Sequence, residues 1–329
     1  MILAGDIGGT KTVVALLEAA GSGLRTIREE SFSSPGHAAL EEILDRFLTG
    51  AGPRPSLAAA CFGVAGPVVE GKSQVTNLPW AVDERELSRA LQVPRVKLLN
   101  DLEAAAYGML HLSADDLCVL QPGLSRKGNI AVIAAGTGLG EAFLYWDGQR
   151  YHPIASEGGH ADFAPRSDPE AELLAFLRKE FGHVSYERVL SGPGLFNIYR
   201  YLRDSGRWPE PPWLTERLAE GDPSAVVSEA ALAGSHPLCV EALELFVAIY
   251  GAEAGNMALK TLALGGVFVG GGIAPRIRLK LTDGRFVAAF RDKGRFSGLL
   301  ASIPVQLALN ARTPVLGAAH VALELSGAR

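Results

Sequence analysis

Gly5-Asp6-Ile7-Gly8-Gly9-Thr10-Lys11 separates two short apolar runs, Ile2 to Ala4 and Val13 to Leu17. Apolar run, glycine-rich turn, apolar run is the pattern of two strands joined by a tight connection. About 130 residues further on the arrangement returns as Ile130 to Ala135, Gly136-Thr137-Gly138-Leu139-Gly140, then Ala142 to Trp146. A repeat at that interval points to two related halves, each opening on a hairpin around a glycine loop. Trp146-Asp147-Gly148 supplies a further hairpin turn.

Around these hairpins, strands alternate with helices. Leu40, Ile43, Leu44, Phe47 and Leu48 fall at the spacing of a helix that buries one face. Leu57 to Val64 and Arg95 to Leu99 read as buried strands, the second running into a helical Asp101 to Leu110. The second half turns helical over Pro169 to Phe181, Leu195 to Arg203, Ser224 to Ala233 and Leu238 to Leu262, the last apolar enough to be core. A strand at Gly266 to Val269 ends in Gly270-Gly271-Gly272, and the tail offers a strand at Val305 to Leu309 and a helix at Pro314 to Leu325. Pro209-Glu210-Pro211-Pro212 reads as a surface excursion. The alternation predicts an α/β fold.

Composition removes several classes of function. Of 329 residues, 48% are hydrophobic and 20% charged, the balance of a globular enzyme rather than of a disordered or fibrous chain. Glycine numbers 38, about 12% where ~7% is usual, and the excess gathers in the loops above. With 31 Lys and Arg against 36 Asp and Glu, the net charge is −5, which leaves no basic stripe for nucleic acid. Cys61, Cys118 and Cys239 lie too far apart for a disulfide framework or a CxxC metal site and read as reduced. His37, His111, His152, His183, His236 and His320 lack metal-ligand spacing. The N-terminal stretch has no basic n-region and no apolar run reaches membrane-spanning length, so the expected location is the cytoplasm.

Several motifs carry chemistry, each with a plainer alternative. Asp6-Ile7-Gly8-Gly9-Thr10 is either a simple glycine hairpin or a cradle in which backbone N–H groups and Thr10 face a phosphate while Asp6 holds hydrated Mg²⁺. It matches neither a Walker A loop nor GxGxxG. Gly136-Thr137-Gly138 and Gly270-Gly271-Gly272 extend the second of these readings, because three glycine loops at strand ends suit a nucleotide held on bare backbone. Asn100-Asp101, directly after an apolar strand, is either a helix cap or a general base beside an orienting amide. Ser156-Glu157-Gly158-Gly159-His160 is a surface turn or a grip on a polyhydroxylated ligand. Glu187, ahead of a Gly-Pro-Gly turn, is a solvated helical residue or a further ligand. Thr76-Asn77-Leu78-Pro79-Trp80 walls a pocket or contributes Trp80 to the core. No GxSxG elbow is present, which argues against a serine hydrolase.

The ordered set of Asp6 to Thr10, Asn100-Asp101, Gly136 to Gly140, Ser156 to Pro165, Ser191 to Leu195, Gly270 to Arg276 and Asp292-Lys293-Gly294-Arg295-Phe296 resembles the bacterial glucokinases of the non-ROK type, in the hexokinase and actin-like ATPase superfamily. The resemblance runs end to end. It implies two ribonuclease H-like α/β domains around a central cleft, a small one of residues 1–111 with 304–329 and a large one of 112–303. It implies ATP-dependent phosphorylation of glucose at the 6-hydroxyl, with Asp101 as general base and Asn100, Glu157, His160 and Glu187 on the other sugar hydroxyls. It places Asp6, Gly8, Gly9, Thr10, Gly136, Thr137 and Gly138 on Mg²⁺ and the phosphates, and Gly270, Gly271 and Gly272 on the adenosine. It further implies a cytosolic homodimer.

Lys11 stands where many relatives carry Asn. His160 is followed by Ala161-Asp162-Phe163 rather than by the cysteine-rich zinc motif of the ROK kinases, so no structural zinc is expected. Because water competes with sugar for the phosphoryl group, closure of the cleft on sugar binding is also expected. The alternatives are a kinase for another hexose or an amino sugar, and a non-catalytic sugar sensor on the same fold. A transcriptional sensor would carry a DNA-binding appendage, which is not expected with the first strand at Ile2.

Overall fold

The computed structural model describes residues 1–21, 23–50 and 52–327. By compactness the chain divides into one unit of Met1–Asp116 with Asn310–Arg329 and a second of Leu117–Leu309.

The first unit is built on β1 (Ile2–Ile7), β2 (Lys11–Ala20), β3 (Gly23–Ser33), α1 (Leu40–Thr49), β4 (Ala59–Val64), β5 (Lys72–Gln74), β6 (Ala81–Asp83), α2 (Glu84–Leu91), β7 (Val96–Asn100) and α3 (Asp101–Met109). Its main sheet has the order β3-β2-β1-β4-β7. The β3-β2-β1 part is antiparallel, whereas β1-β4-β7 is parallel. β4 is buried along its whole length, as a strand covered on both faces must be. On one face α1 inserts Leu40, Ile43, Leu44, Phe47 and Leu48, the residues picked out by periodicity, into a cluster with Phe62, Trp80 and Leu98. Each such side chain contributes about 1.5–3 kcal/mol on full burial.

The other face is covered by α3 and by the last helix of the chain (Thr313–Ser326), through small residues such as Ala104, Ala318, Ala319 and Ala322. Their approach is close because glycines stand at the crossing. A methyl on Gly317 would lie 1.8 Å from the Ala104 carbonyl oxygen, and one on Gly108 would lie 2.0 Å from that of Thr313. His111 and His320 stack across these helices with ring centroids 3.3 Å apart. Burial, and then the neighbouring ring, push His111 down to about 4, which keeps the stack uncharged at neutral pH.

The second unit contains β8 (Leu117–Gln121), β9 (Ile130–Ala135), β10 (Leu139–Trp146), β11 (Tyr151–Ser156), α4 (Asp168–Phe181), α5 (Gly192–Asp204), α6 (Pro212–Glu220), α7 (Pro223–Leu232), α8 (Pro237–Thr261), β12 (Gly266–Gly270), α9 (Arg278–Leu281), α10 (Arg285–Arg291), α11 (Ser297–Ala301) and β13 (Val305–Ala308); the last helix of the chain is α12. Its sheet runs β11-β10-β9-β12-β13-β8. The β11-β10-β9 part is antiparallel and β9-β12-β13 parallel, the same sequence of pairings as in the first unit. The repeat of glycine hairpins is therefore a repeat of sheet topology. β13 hydrogen-bonds between β12 and β8 and so belongs to the second unit, and the chain returns to the first at Asn310 rather than at 304.

α8 is apolar around its circumference because it is the core helix, with Phe246, Tyr250, Ala254 and Met257 buried. No single helix among the described residues is long and apolar enough to cross a membrane; α7 and α8 meet that test only together, as a pair bent by 100°. The excursion expected at Pro209–Pro212 is a loop over 209–211 with Pro209 exposed, shorter than expected and tied down at its end. Pro212 opens α6, Leu214 is fully buried, and Glu210 accepts hydrogen bonds from Tyr199 and Thr215.

The crossing of α3 and α12 supports a test. In an open helix Gly→Ala gains about 0.5–1 kcal/mol, whereas overpacking costs about 1–3 kcal/mol. Gly317→Ala is therefore expected to lower stability, read as a lower urea midpoint at unchanged m-value. An unchanged or raised midpoint would contradict the packing described.

Candidate active site

In the first unit, parallel pairing aligns the ends of three strands. Asp6 on β1 lies opposite Gly63 on β4, and Val64 of β4 lies opposite Asn100 at the end of β7. Gly63 is bare where a methyl would lie 2.8 Å from Ala104 Cβ, and this lets α3 begin close to the sheet. Asp6 is thus the penultimate residue of its strand rather than part of the loop. The turn proper is Gly8-Gly9-Thr10, closed by the Gly8 amide donating to the Lys11 carbonyl at 3.0 Å. Ser34 Oγ donates to the Gly8 carbonyl at 2.7 Å. A methyl on Gly9 would lie 2.8 Å from the Thr76 carbonyl oxygen, so the turn rests on the Thr76-Asn77 segment, and Thr10 is exposed at its tip.

Asn100 is a helix cap in a capping box. Its Oδ1 accepts from the Leu102 amide at 2.9 Å, and Glu103 Oε2 accepts from the Asn100 amide at 2.9 Å. Its Nδ2 also donates to the Gly66 carbonyl at 3.0 Å, which fixes the side chain. Asp101, in the first turn of α3, accepts from the Leu102 amide at 2.9 Å. Burial, then repulsion from Asp101, push Asp6 up to about 6, and Lys11 opposes the shift. Asp6, Asp101 and Lys11 therefore form one electrostatic group.

In the second unit the β9–β10 hairpin, the segment after β12 and two short turns come together. The Gly136 amide donates to the Gly138 carbonyl and the Gly192 amide to the Gly136 carbonyl, each at 2.8 Å. Glu187 Oε2 accepts from the Leu139 amide at 3.0 Å, and a methyl on Gly138 would lie 2.5 Å from that oxygen. Gly271, at φ 82°, is bare against Ala135, whose carbonyl oxygen a methyl would meet at 2.2 Å, while Gly272 has nothing near it. Tyr250 ties these loops from below. Its buried hydroxyl accepts from the Ala135 amide at 3.1 Å and lies 3.3 Å from the Gly270 carbonyl, to which it can donate. No motif pointed to Tyr250; its only trace in the sequence is a polar tip on an apolar core helix.

Glu157 and His160 flank a single tight turn, with His160 Nε2 3.9 Å from Glu157 Oε2 and both side chains exposed. The turn is strapped to the segment before Glu187 by Tyr186 N–H to the Ala161 carbonyl and Phe163 N–H to the Val184 carbonyl. Glu157, His160, Glu187 and the Gly136–Gly140 loop thus share one region of the second unit.

Other residues singled out in the sequence serve the fold. Trp80 is 2% exposed and its Nε1 donates to the His37 carbonyl, so it is core rather than a pocket wall. Lys293 donates to the Ala252 carbonyl and Asn256 Oδ1, which makes its segment a tie onto α8.

Among the described residues no three His, Cys, Asp or Glu side chains are grouped to hold an ion unaided. The half-buried Asp6 carboxylate beside the glycine turn, with Asp101 in electrostatic reach, instead fits Mg²⁺, which takes one or two carboxylates and completes its shell with phosphate and water.

The family model for glucokinase matches residues 3–325. The chain is 43% identical over 340 aligned residues to a glucokinase of Nostoc sp. (strain PCC 7120), covering 99% of each. It is likewise 43% identical over 348 residues to a glucokinase of Synechocystis sp. (strain PCC 6803), covering 98% of each. A crystal structure of a glucokinase from an Antarctic psychrotroph, 33% identical, superposes with a TM-score of 0.87 over 98% of both chains. The chain, an α/β protein of the actin-like ATPase fold, belongs to the glucokinase family, in its non-ROK bacterial branch.

Proposed function

We propose that Asp101 is the general base of this glucokinase, in a reaction that moves the γ-phosphoryl group of ATP to the 6-hydroxyl of glucose. The protein is an enzyme that phosphorylates glucose. The assignment of the base rests chiefly on one observation: Asp101 is a carboxylate in the first turn of the helix that follows β7, within electrostatic reach of the half-buried Asp6 and next to an asparagine whose side chain is fixed at both ends.

On this reading the 6-hydroxyl proton passes to an Asp101 carboxylate oxygen as the O6–Pγ bond forms. The bond between Pγ and the β,γ-bridging oxygen breaks, and ADP carries away the bridging oxygen. The loose transition state of phosphoryl transfer asks for alignment more than for a strong base. Asn100, Glu157, His160 and Glu187 would orient the remaining hydroxyls; they combine donors and acceptors as a polyol requires. Gly8, Gly9 and Thr10, with Gly136, Thr137 and Gly138, would face the phosphates, and Gly270, Gly271 and Gly272 the adenosine. Asp6 would hold Mg²⁺ carried by ATP, and the ion supplies positive charge against the phosphates. Lys11 lowers the cost of ionising Asp6. The enzyme would work in the cytoplasm as a homodimer.

A coupled assay of ADP release with Mg·ATP and glucose tests the base. Asp101→Asn is expected to lower kcat by about 10²–10⁴-fold, with glucose binding by calorimetry retained. Turnover near that of the unaltered protein would remove Asp101 from the role.

A second test follows from Asp6. Its ordinary value is 3.8 and its value in the fold about 6, so the folded state holds the proton more tightly than the unfolded chain. Stability accordingly falls as pH rises through that window and stays reduced above it. Asp6→Asn is expected to gain about 1–3 kcal/mol at pH 7.5 without ligands, to gain nothing near pH 3.5, and to lose turnover. Thermal melts at the two pH values check the sign.

A further inference from the structure

Behind the Glu157–His160 turn lies a carboxyl group that the reaction does not use. Glu141 sits on β10, with Ile133 of β9 and Ser156 of β11 as its register partners, and it is 2% exposed. Its Oε1 is buried without a hydrogen-bond partner. Its other oxygen lies against the turn: a methyl on Gly158 would come 2.1 Å from Oε2. The next residue rests on the same strand, since a methyl on Gly159 would come 2.1 Å from the Leu139 carbonyl oxygen. The Gly158-Gly159 pair is thus pressed onto β10, and Glu157 and His160 are the residues on either side of it.

The titratable groups that face Glu141 come from α8. They are Glu253 and Tyr250, which disfavour its charge or are disfavoured by it, and Lys260, which favours it. Glu253 already takes Lys260 at 3.2 Å and Asn256 Nδ2 at 2.8 Å. Glu141 has no such partner, and an ionised carboxylate left unpaired in the interior is costly. Burial first, and then Glu253, push its pKa up to about 7.

We propose that Glu141 is a positioning residue of the glucose site, whose carboxyl group is the floor on which Gly158 rests and which sets the placement of Glu157 and His160. The proposal rests on the reading of Glu157 and His160 as sugar ligands. Loss of the proton places an unpaired charge beside Glu253 and under the turn, which displaces the ligands.

Glucose saturation curves at saturating Mg·ATP, from pH 6 to 8.5, test it. In the unaltered enzyme KM for glucose is expected to rise with pH through about 7. Glu141→Gln, which keeps the shape and cannot ionise, should hold the low KM and remove this dependence. Glu141→Ala should raise KM about tenfold while kcat changes less than about threefold, the split expected when ligand placement alone is lost. Gly158→Ala should raise KM in the unaltered background and much less in Glu141→Ala, because the colliding oxygen is gone.

Equal KM in Glu141→Ala and the unaltered enzyme, a pH dependence that survives in Glu141→Gln, or additive effects of Gly158→Ala would each overturn the proposal. If Glu141→Ala does not fold, the Gln variant and Gly158→Ala carry the test. Glu157→Gln and His160→Ala, measured alongside, separate the two levels. If neither raises KM, the sugar reading fails and the proposal with it; if both do and Glu141→Ala does not, only the positioning role fails.

Discussion

Contact between backbone segments where no Cβ intervenes is the constraint on which both units depend. The α3–α12 crossing brings Gly317 onto the Ala104 carbonyl, and in the second unit Gly159 lies on the Leu139 carbonyl and Gly271 on that of Ala135. Each contact is shorter than any side chain permits. Part of the glycine excess of the composition thus serves to bring helices and loops close to the sheets.

Close packing at strand ends has an electrostatic consequence. Carboxylates packed against the sheets lose water, and in each unit one on a strand lies within reach of one on a helix: Asp6 of β1 with Asp101 of α3, and Glu141 of β10 with Glu253 of α8. In both cases burial is the larger cause of the raised pKa and the like charge the smaller, with one lysine in opposition. The fold gives up stability to keep these groups in place, a common exchange at functional sites. Tyr250 makes the complementary contribution, since its hydroxyl ties two glycine loops from within the core and spends no charge.

Elements with a strong local signature were legible in the chain. The five buried residues of α1 follow from helical spacing, and both hairpins follow from apolar runs on either side of glycine turns. The elements that escaped are those whose stability comes from neighbours. β3 is a polar edge strand with few buried residues, α2 is mostly polar beyond Leu87 and Leu91, and α6 begins behind a proline cluster that reads as loop. Asn100 was open to two readings, cap and ligand. The structure makes it a cap, which is what holds it at the strand end where the second role is proposed.

Taken alone, the sequence determined the α/β class, the internal repeat and the ordered set of loop residues that marks the family, because these depend on residue type and spacing along the chain. Only the tertiary structure decided that Trp80 is core, that Lys11 acts on Asp6, that Glu187 caps the Leu139 amide, and that Glu141 lies under Gly158. Those outcomes depend on which distant segments meet across a sheet, and on how much water is left when they do. Neither the meeting nor the dehydration is encoded in any local stretch.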